Sequence, residues 1–132
     1  MDIQTKLPWV GTTIFSQMSQ LAQQTGAINL SQGFPDFSAD QRLLSAVNEH
    51  VLAGRNQYAP MIGVATLRQQ IADLTQNCYQ RTIDPELEVT VTSGATEALF
   101  VAIQAVVRPG DEVIVFDPAY DSYRPAVELA GG

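Results

Sequence analysis

VTVTSGATEAL, residues 89–99, contains the transition that decides the fold. Its first residues alternate and are β-branched, which suits a strand. Ser93-Gly94-Ala95-Thr96 follows without a bulky side chain, and beyond it the spacing becomes helical. A chain that passes from strand to helix through small residues and hydroxyls has two explanations. One is a tight turn, capped by Ser93 or Thr96, with Glu97 complementing the helix dipole. The other is a phosphate seat. A helix N-terminus presents unpaired N–H groups, small residues let an anion approach the backbone, and Thr96 adds a hydroxyl. The stretch lacks the Gly-Lys-Ser/Thr ending of a P-loop and is not G-x-G-x-x-G. Read alone, the residues leave both explanations open.

Downstream, residues 96–107 form an apolar helical pattern that predicts a buried helix, and Arg108-Pro109-Gly110-Asp111 is a turn. EVIVF, residues 112–116, is apolar enough for a strand buried on both faces. Asp117-Pro118-Ala119-Tyr120 is a loop, and residues 121–130 predict a helix ended by Gly131-Gly132. Strand, helix, strand, helix implies α/β architecture: a parallel-rich sheet flanked by helices, with right-handed crossovers. Two strands do not complete such a sheet, so the pattern reads as the front part of a larger architecture, incomplete in this chain. Ligands in open α/β sheets bind beyond the carboxyl ends of strands. Parallel neighbours would set Tyr120 beside the 93–96 bend, where its ring can stack on a flat group. Packing against the core or the surface accounts for Tyr120 equally.

Upstream, Ile14, Phe15, Met18, Leu21 and Ala22 make a helical stripe over 13–24, capped by Thr12 or Thr13 and ended by Gly26. Residues 27–38 are irregular, with turn chemistry at Gly33-Phe34-Pro35-Asp36. Asp40 opens a second helix that closes at Gly54, and residues 55–63 are irregular again. Val64, Leu67, Ile71, Leu74 and Cys78 carry a third helix to about Arg81, and Leu87–Thr92 alternates as a strand.

The 132 residues are 45% apolar, the composition of one modest globular domain with its own core. A net charge of −7 without a Lys/Arg cluster argues against nucleic acid and against an anionic membrane surface. The N-terminus lacks a signal-peptide pattern, no run is long enough to span a bilayer, and a cytoplasmic location is expected. One cysteine and one histidine exclude an internal disulfide and supply too few soft ligands for a metal site.

SQGFPDF (31–37), NQYAPMIGVATLR (56–68), VTSGATEAL (91–99) and GDEVIVFDPAYDSY (110–123), in this order, resemble the fold type I pyridoxal-phosphate-dependent aminotransferases. The similarity is to the class I/II branch with methionine and kynurenine/glutamine aminotransferases, and it covers nearly the whole chain. It implies pyridoxal 5′-phosphate as cofactor, amino acid and 2-keto acid as substrates, and a homodimer with sites at its interface. It also implies an N-terminal arm and small-domain segment over 1–38 and the first part of the large cofactor-binding domain over 39–132. Gly94, Ala95 and Thr96 fall where the family holds the cofactor phosphate, and Tyr120 where an aromatic stacks on the ring. Tyr58 falls where a tyrosine reaches the partner subunit's phosphate. Gly33 lies where backbone meets the substrate carboxylate, and Phe15 near the substrate side-chain pocket. Each also has a plain structural account: Gly33 serves its turn, Tyr58 is a half-buried tyrosine, and Phe15 packs in its helix stripe. Lys6 and Trp9 read as parts of an arm docked on a neighbour, and Asp121 and Arg124 as solvated helix residues.

The family's chemistry needs a Schiff-base lysine, a carboxylate at the pyridine nitrogen and an arginine for the substrate carboxylate. The resemblance puts all three beyond residue 132. Lys6, the single lysine, matches no catalytic position, so no catalytic residue is assigned, and the chain alone is expected to be inactive. The alternatives are β-elimination on cysteine conjugates with the same cofactor, a non-catalytic phosphate-binding or interaction module, and a nucleotide-binding α/β domain. Uncovered helix faces and strand edges are expected to expose apolar surface.

Overall fold

A computed structural model describes residues 4–33 and 35–132. Phe34, within the GFPDF turn, lies outside the described residues, as do positions 1–3. The described residues form five helices: α1 (Ile14–Thr25), α2 (Gln41–Leu52), α3 (Ala65–Tyr79), α4 (Ala95–Val106) and α5 (Tyr123–Ala130).

The caps explain where these helices start. Thr13 accepts a hydrogen bond from the Ser16 amide at the head of α1. Asp40 accepts from the Arg42 amide at the head of α2. The Arg42 guanidinium also pairs with Asp40, at 3.0 Å from each carboxylate oxygen. That side-chain bond, with the backbone bond second, holds the Asp40 carboxyl below its ordinary range. α3 begins after Val64 without a side-chain cap and ends at Gln80, which takes a left-handed conformation with φ 55°.

Two clusters hold the chain together. Around α3, Arg68 is only 4% exposed. Its Nε donates to the Gly63 carbonyl at 3.2 Å, one Nη to the Pro85 carbonyl, and the other to the Glu86 carboxylate at 3.1 Å. Gly63 sits at φ +97°, and a Cβ there would stand 2.6 Å from the Val91 side chain. The Val91 amide bonds to the Ile62 carbonyl at 3.0 Å. One buried guanidinium and one close glycine therefore bind α3, the 55–63 segment and the 85–91 segment together. The second cluster is α4 against α5, the helix pair in contact among the described residues. Gln104 donates to the Ala126 carbonyl at 2.8 Å, beside buried Ala126 and Val127.

Several expectations are corrected. Leu87–Thr92 and Glu112–Phe116 run without helix or ladder, and no strand occurs among the described residues. Alternation marks a segment as fit for pairing but supplies no neighbour to pair with. The two-faced burial expected of EVIVF is absent, since Ile114 and Phe116 are 88% and 86% exposed. α4, expected to be buried, has no buried residue. The expected core is small: Ala72, Val89, Ala126 and Val127 are the buried apolar residues among those described. No described helix is long and apolar enough to cross a membrane. No described trio of His, Cys, Asp or Glu could hold a metal. Cys78 stands exposed on α3.

Candidate functional site

The 93–96 bend stands at the surface, with Ser93, Gly94, Ala95 and Thr96 all exposed. Gly94 caps α4 at φ 90°, ψ 172° and uses no side-chain hydrogen bond to do so. This left-handed φ suits glycine, and a Cβ built there would meet no atom within 4 Å. The space over the bend is therefore open. Among the described residues, no group accepts from the amides of Gly94, Ala95 or Thr96, and the first turn's bond runs from the Ala98 amide to the Gly94 carbonyl. Thr92 Oγ1 donates to that same carbonyl at 2.9 Å, which fixes the bend from its N-terminal side.

Glu97 turns back, and its carboxylate accepts from the Ser93 amide. Its charge is thus spent on one amide of the bend, and those of the next three residues stay free for another acceptor. Tyr120 approaches from the loop before α5, with its hydroxyl 3.3 Å from Thr96 Oγ1. Its ring meets that of Tyr123 edge-on, with centroids 5.8 Å apart. A hollow of about 470 Å³ beside the bend is lined by Ser93, Thr96, Glu97, Phe100, Ser122 and Pro125. In its wall, the buried Ser122 Oγ has no hydrogen-bond partner among the described residues.

These donors fit a phosphorylated ring. Free amides at a helix N-terminus and the hydroxyls of Thr96 and Tyr120 offer hydrogens to anionic oxygens. Gly94, Ala95 and Thr96 would hold the phosphate of the expected pyridoxal 5′-phosphate, and Tyr120 would flank its ring. Glu97 is the single opposing charge in the wall.

The other expected site residues stand apart from this bend. No described hydrogen bond or ring contact joins Tyr58, Gly33 or Phe15 to it. Tyr58 is fully exposed rather than half-buried, beside a separate hollow with His50, Arg55 and Pro60. Gly33 is exposed, with open space around a would-be Cβ. Phe15 lies on the first turn of α1, at the edge of exposure.

Sequence reading missed the role of Trp9. It packs on α5 of its own chain. The Arg124 guanidinium lies 4.5 Å from the Trp9 ring centroid. Trp9 Nε1 donates to Glu128 at 2.8 Å, and Arg124 Nε donates to the same carboxylate at 2.8 Å. Arg124 first and Trp9 second hold the Glu128 carboxyl below its ordinary range. The i,i+4 spacing of Arg124 and Glu128 was visible in the sequence. Nothing in the sequence pointed to an indole more than a hundred residues away.

Comparison with known proteins gives a consistent result. A family model for "Aminotransferase class I and II" matches residues 25–132. A methionine aminotransferase of Escherichia coli (strain K12) is 60% identical over 129 residues, which are 98% of this chain and 33% of that protein. The crystal structure of YbdL from Escherichia coli, for which a methionine aminotransferase function was identified, superposes with a TM-score of 0.94 at 58% identity. It covers 100% of this chain and 35% of that one. The structure of N-succinyldiaminopimelate aminotransferase from Mycobacterium tuberculosis gives a TM-score of 0.90 at 44% identity, over 98% of this chain and 34% of that one. The chain thus spans about a third of the length of the relatives it matches.

Proposed function

This chain belongs to the class I and II aminotransferase family, whose cofactor is pyridoxal 5′-phosphate, and on that premise we propose that the whole protein is a transaminase. It moves the amino group of an L-amino acid to a 2-keto acid. Methionine is the first donor to test, because a methionine aminotransferase is 60% identical to the chain. Other large apolar or aromatic amino acids and glutamine are the next.

The observation that carries the reading is the open bend at 93–96, with Tyr120 set 3.3 Å from Thr96. When bound, pyridoxal phosphate supplies an electron sink that eases loss of the amino acid's α-hydrogen. The chain's own residues bind and orient. The amides of Gly94, Ala95 and Thr96 and the Thr96 hydroxyl take the phosphate oxygens. Tyr120 would flank the ring. Residues 1–38 form the N-terminal arm and small-domain segment, and residues 39–132 begin the large cofactor-binding domain. Tyr58, wholly exposed, suits a reach to the phosphate of a second subunit in a homodimer. Gly33 and Phe15 would meet the substrate carboxylate and side chain, and the protein works in the cytoplasm.

The proton-shuttling lysine of the family has no counterpart among these residues, whose single lysine is Lys6. The 132-residue chain should therefore show no amine transfer and no visible-region band with pyridoxal phosphate. The polypeptide of relative-like length should show both, with methionine and a keto acid as substrates. A band in the short chain that Lys6→Ala abolishes would overturn the assignment. So would a long form that loads cofactor yet transfers no amine from any donor in the panel.

A further inference from the structure

Trp9 and Thr96 each border a hollow walled by the start of α5. Ser122 and Pro125 line both the hollow that holds Trp9, Val10 and Ile14 and the hollow that holds Ser93 and Thr96. That turn is therefore a wall shared by the N-terminal segment and the bend. It has little to hold it from within. Ser122 caps α5 without a side-chain hydrogen bond. The Gln104 bond and the buried Ala126 and Val127 anchor α5 one turn further on.

Within the first turn, Trp9 reaches Arg124, whose guanidinium lies 4.5 Å from the ring centroid; the indole N–H bonds to Glu128 at 2.8 Å, one turn further on. The first turn also carries Tyr120. The Tyr123 amide bonds to the Tyr120 carbonyl at 3.1 Å, and the two rings meet edge-on. A displacement of the first turn would shift the Tyr120 ring directly.

We propose that Trp9 is a positioning residue for the 93–96 seat: anchored to Glu128 one turn on, its ring on Arg124 holds the first turn of α5 and so keeps Tyr120 against Thr96. The inference rests on the reading of that bend and Tyr120 as the cofactor seat. It assigns to the N-terminal segment a role in cofactor affinity, although the segment does not touch the seat.

The test is a calorimetric titration of the full chain with pyridoxine 5′-phosphate, which has the ring and phosphate but no aldehyde to condense with Lys6. Trp9→Leu should weaken binding about threefold, the size of one exposed cation–π contact. Trp9→Phe keeps a ring over Arg124 and should recover most of the loss. In a Tyr120→Ala background, Trp9→Leu should have no further effect, whereas a general loosening of the fold would still cost affinity there. Unchanged affinity in Trp9→Leu, or an equal loss with and without Tyr120, overturns the inference and leaves the seat intact. No binding by the unaltered chain removes the seat itself, and the inference with it.

Discussion

Glu97 carries the charge conflict of the site. The sequence places a carboxylate in the first turn of a helix proposed to receive an anion, and the two repel. The structure gives that carboxylate a partner, the Ser93 amide, so it shapes the bend while opposing the ligand. Glutamine at this position keeps an acceptor for Ser93 and removes the charge. Glu97→Gln should therefore tighten binding of pyridoxine 5′-phosphate about threefold at low ionic strength, with the gain shrinking as salt screens it. Weaker binding at all salt concentrations would show that the ionised carboxylate is needed to build the bend. The sequence exposed this conflict, because residue type and helix position suffice to state it. The side chain's turn back to Ser93 was not legible, since it depends on a rotamer.

Among the elements, the helices were readable and the sheet was not. Thr13 and Asp40 cap α1 and α2 as expected because a cap is a local bond between near neighbours. α5 starts at Tyr123 rather than at Asp121, with Ser122 as its cap residue. Residues 87–92 and 112–116 carry strand composition but no ladder, because pairing is decided by residues far off in the chain. The α3 cluster shows the same division. MIGVAT reads as a turn leading into a helix, and nothing in it announces Val91 across the gap. Gly63→Ala would push a methyl into Val91 and force φ +97° on a residue that resists it. The substitution should cost about 2–3 kcal/mol, read as a lower denaturant midpoint with an unchanged slope. A change within the scatter of surface substitutions would mean that the 55–63 segment is not held against Val91.

At the scale of the molecule, apolar surface is the dominant property. Leu30, Leu52, Met61, Leu87, Ile114 and Phe116 are all exposed, and α1 and α2 bury no residue at all. Such faces drive association when nothing covers them. In sedimentation, the purified chain should run heavier than its 14.3 kDa monomer, with a mass that rises with concentration and falls in mild denaturant. A sharp monomer boundary at all concentrations would show that these faces tolerate water. Composition foresaw this only in part. The apolar fraction suggested an ordinary core, while the unfinished strand-and-helix order suggested uncovered faces. Tyr120 stands 3.3 Å from Thr96 without the parallel strands from which the sequence led us to expect that approach, since no strand occurs among the described residues. The clasp of Trp9 on α5 was not legible, because an arm's docking place leaves no periodic mark.

One consequence concerns how this chain can be watched. It has a single indole, Trp9, and a single thiol, Cys78. One lies in the N-terminal segment and the other near the end of α3, and the thiol is open to reagents. A dye attached there makes the pair a ready-made molecular ruler, with the indole as energy donor. It would report whether Trp9 stays latched on α5 or swings free, without a single engineered substitution.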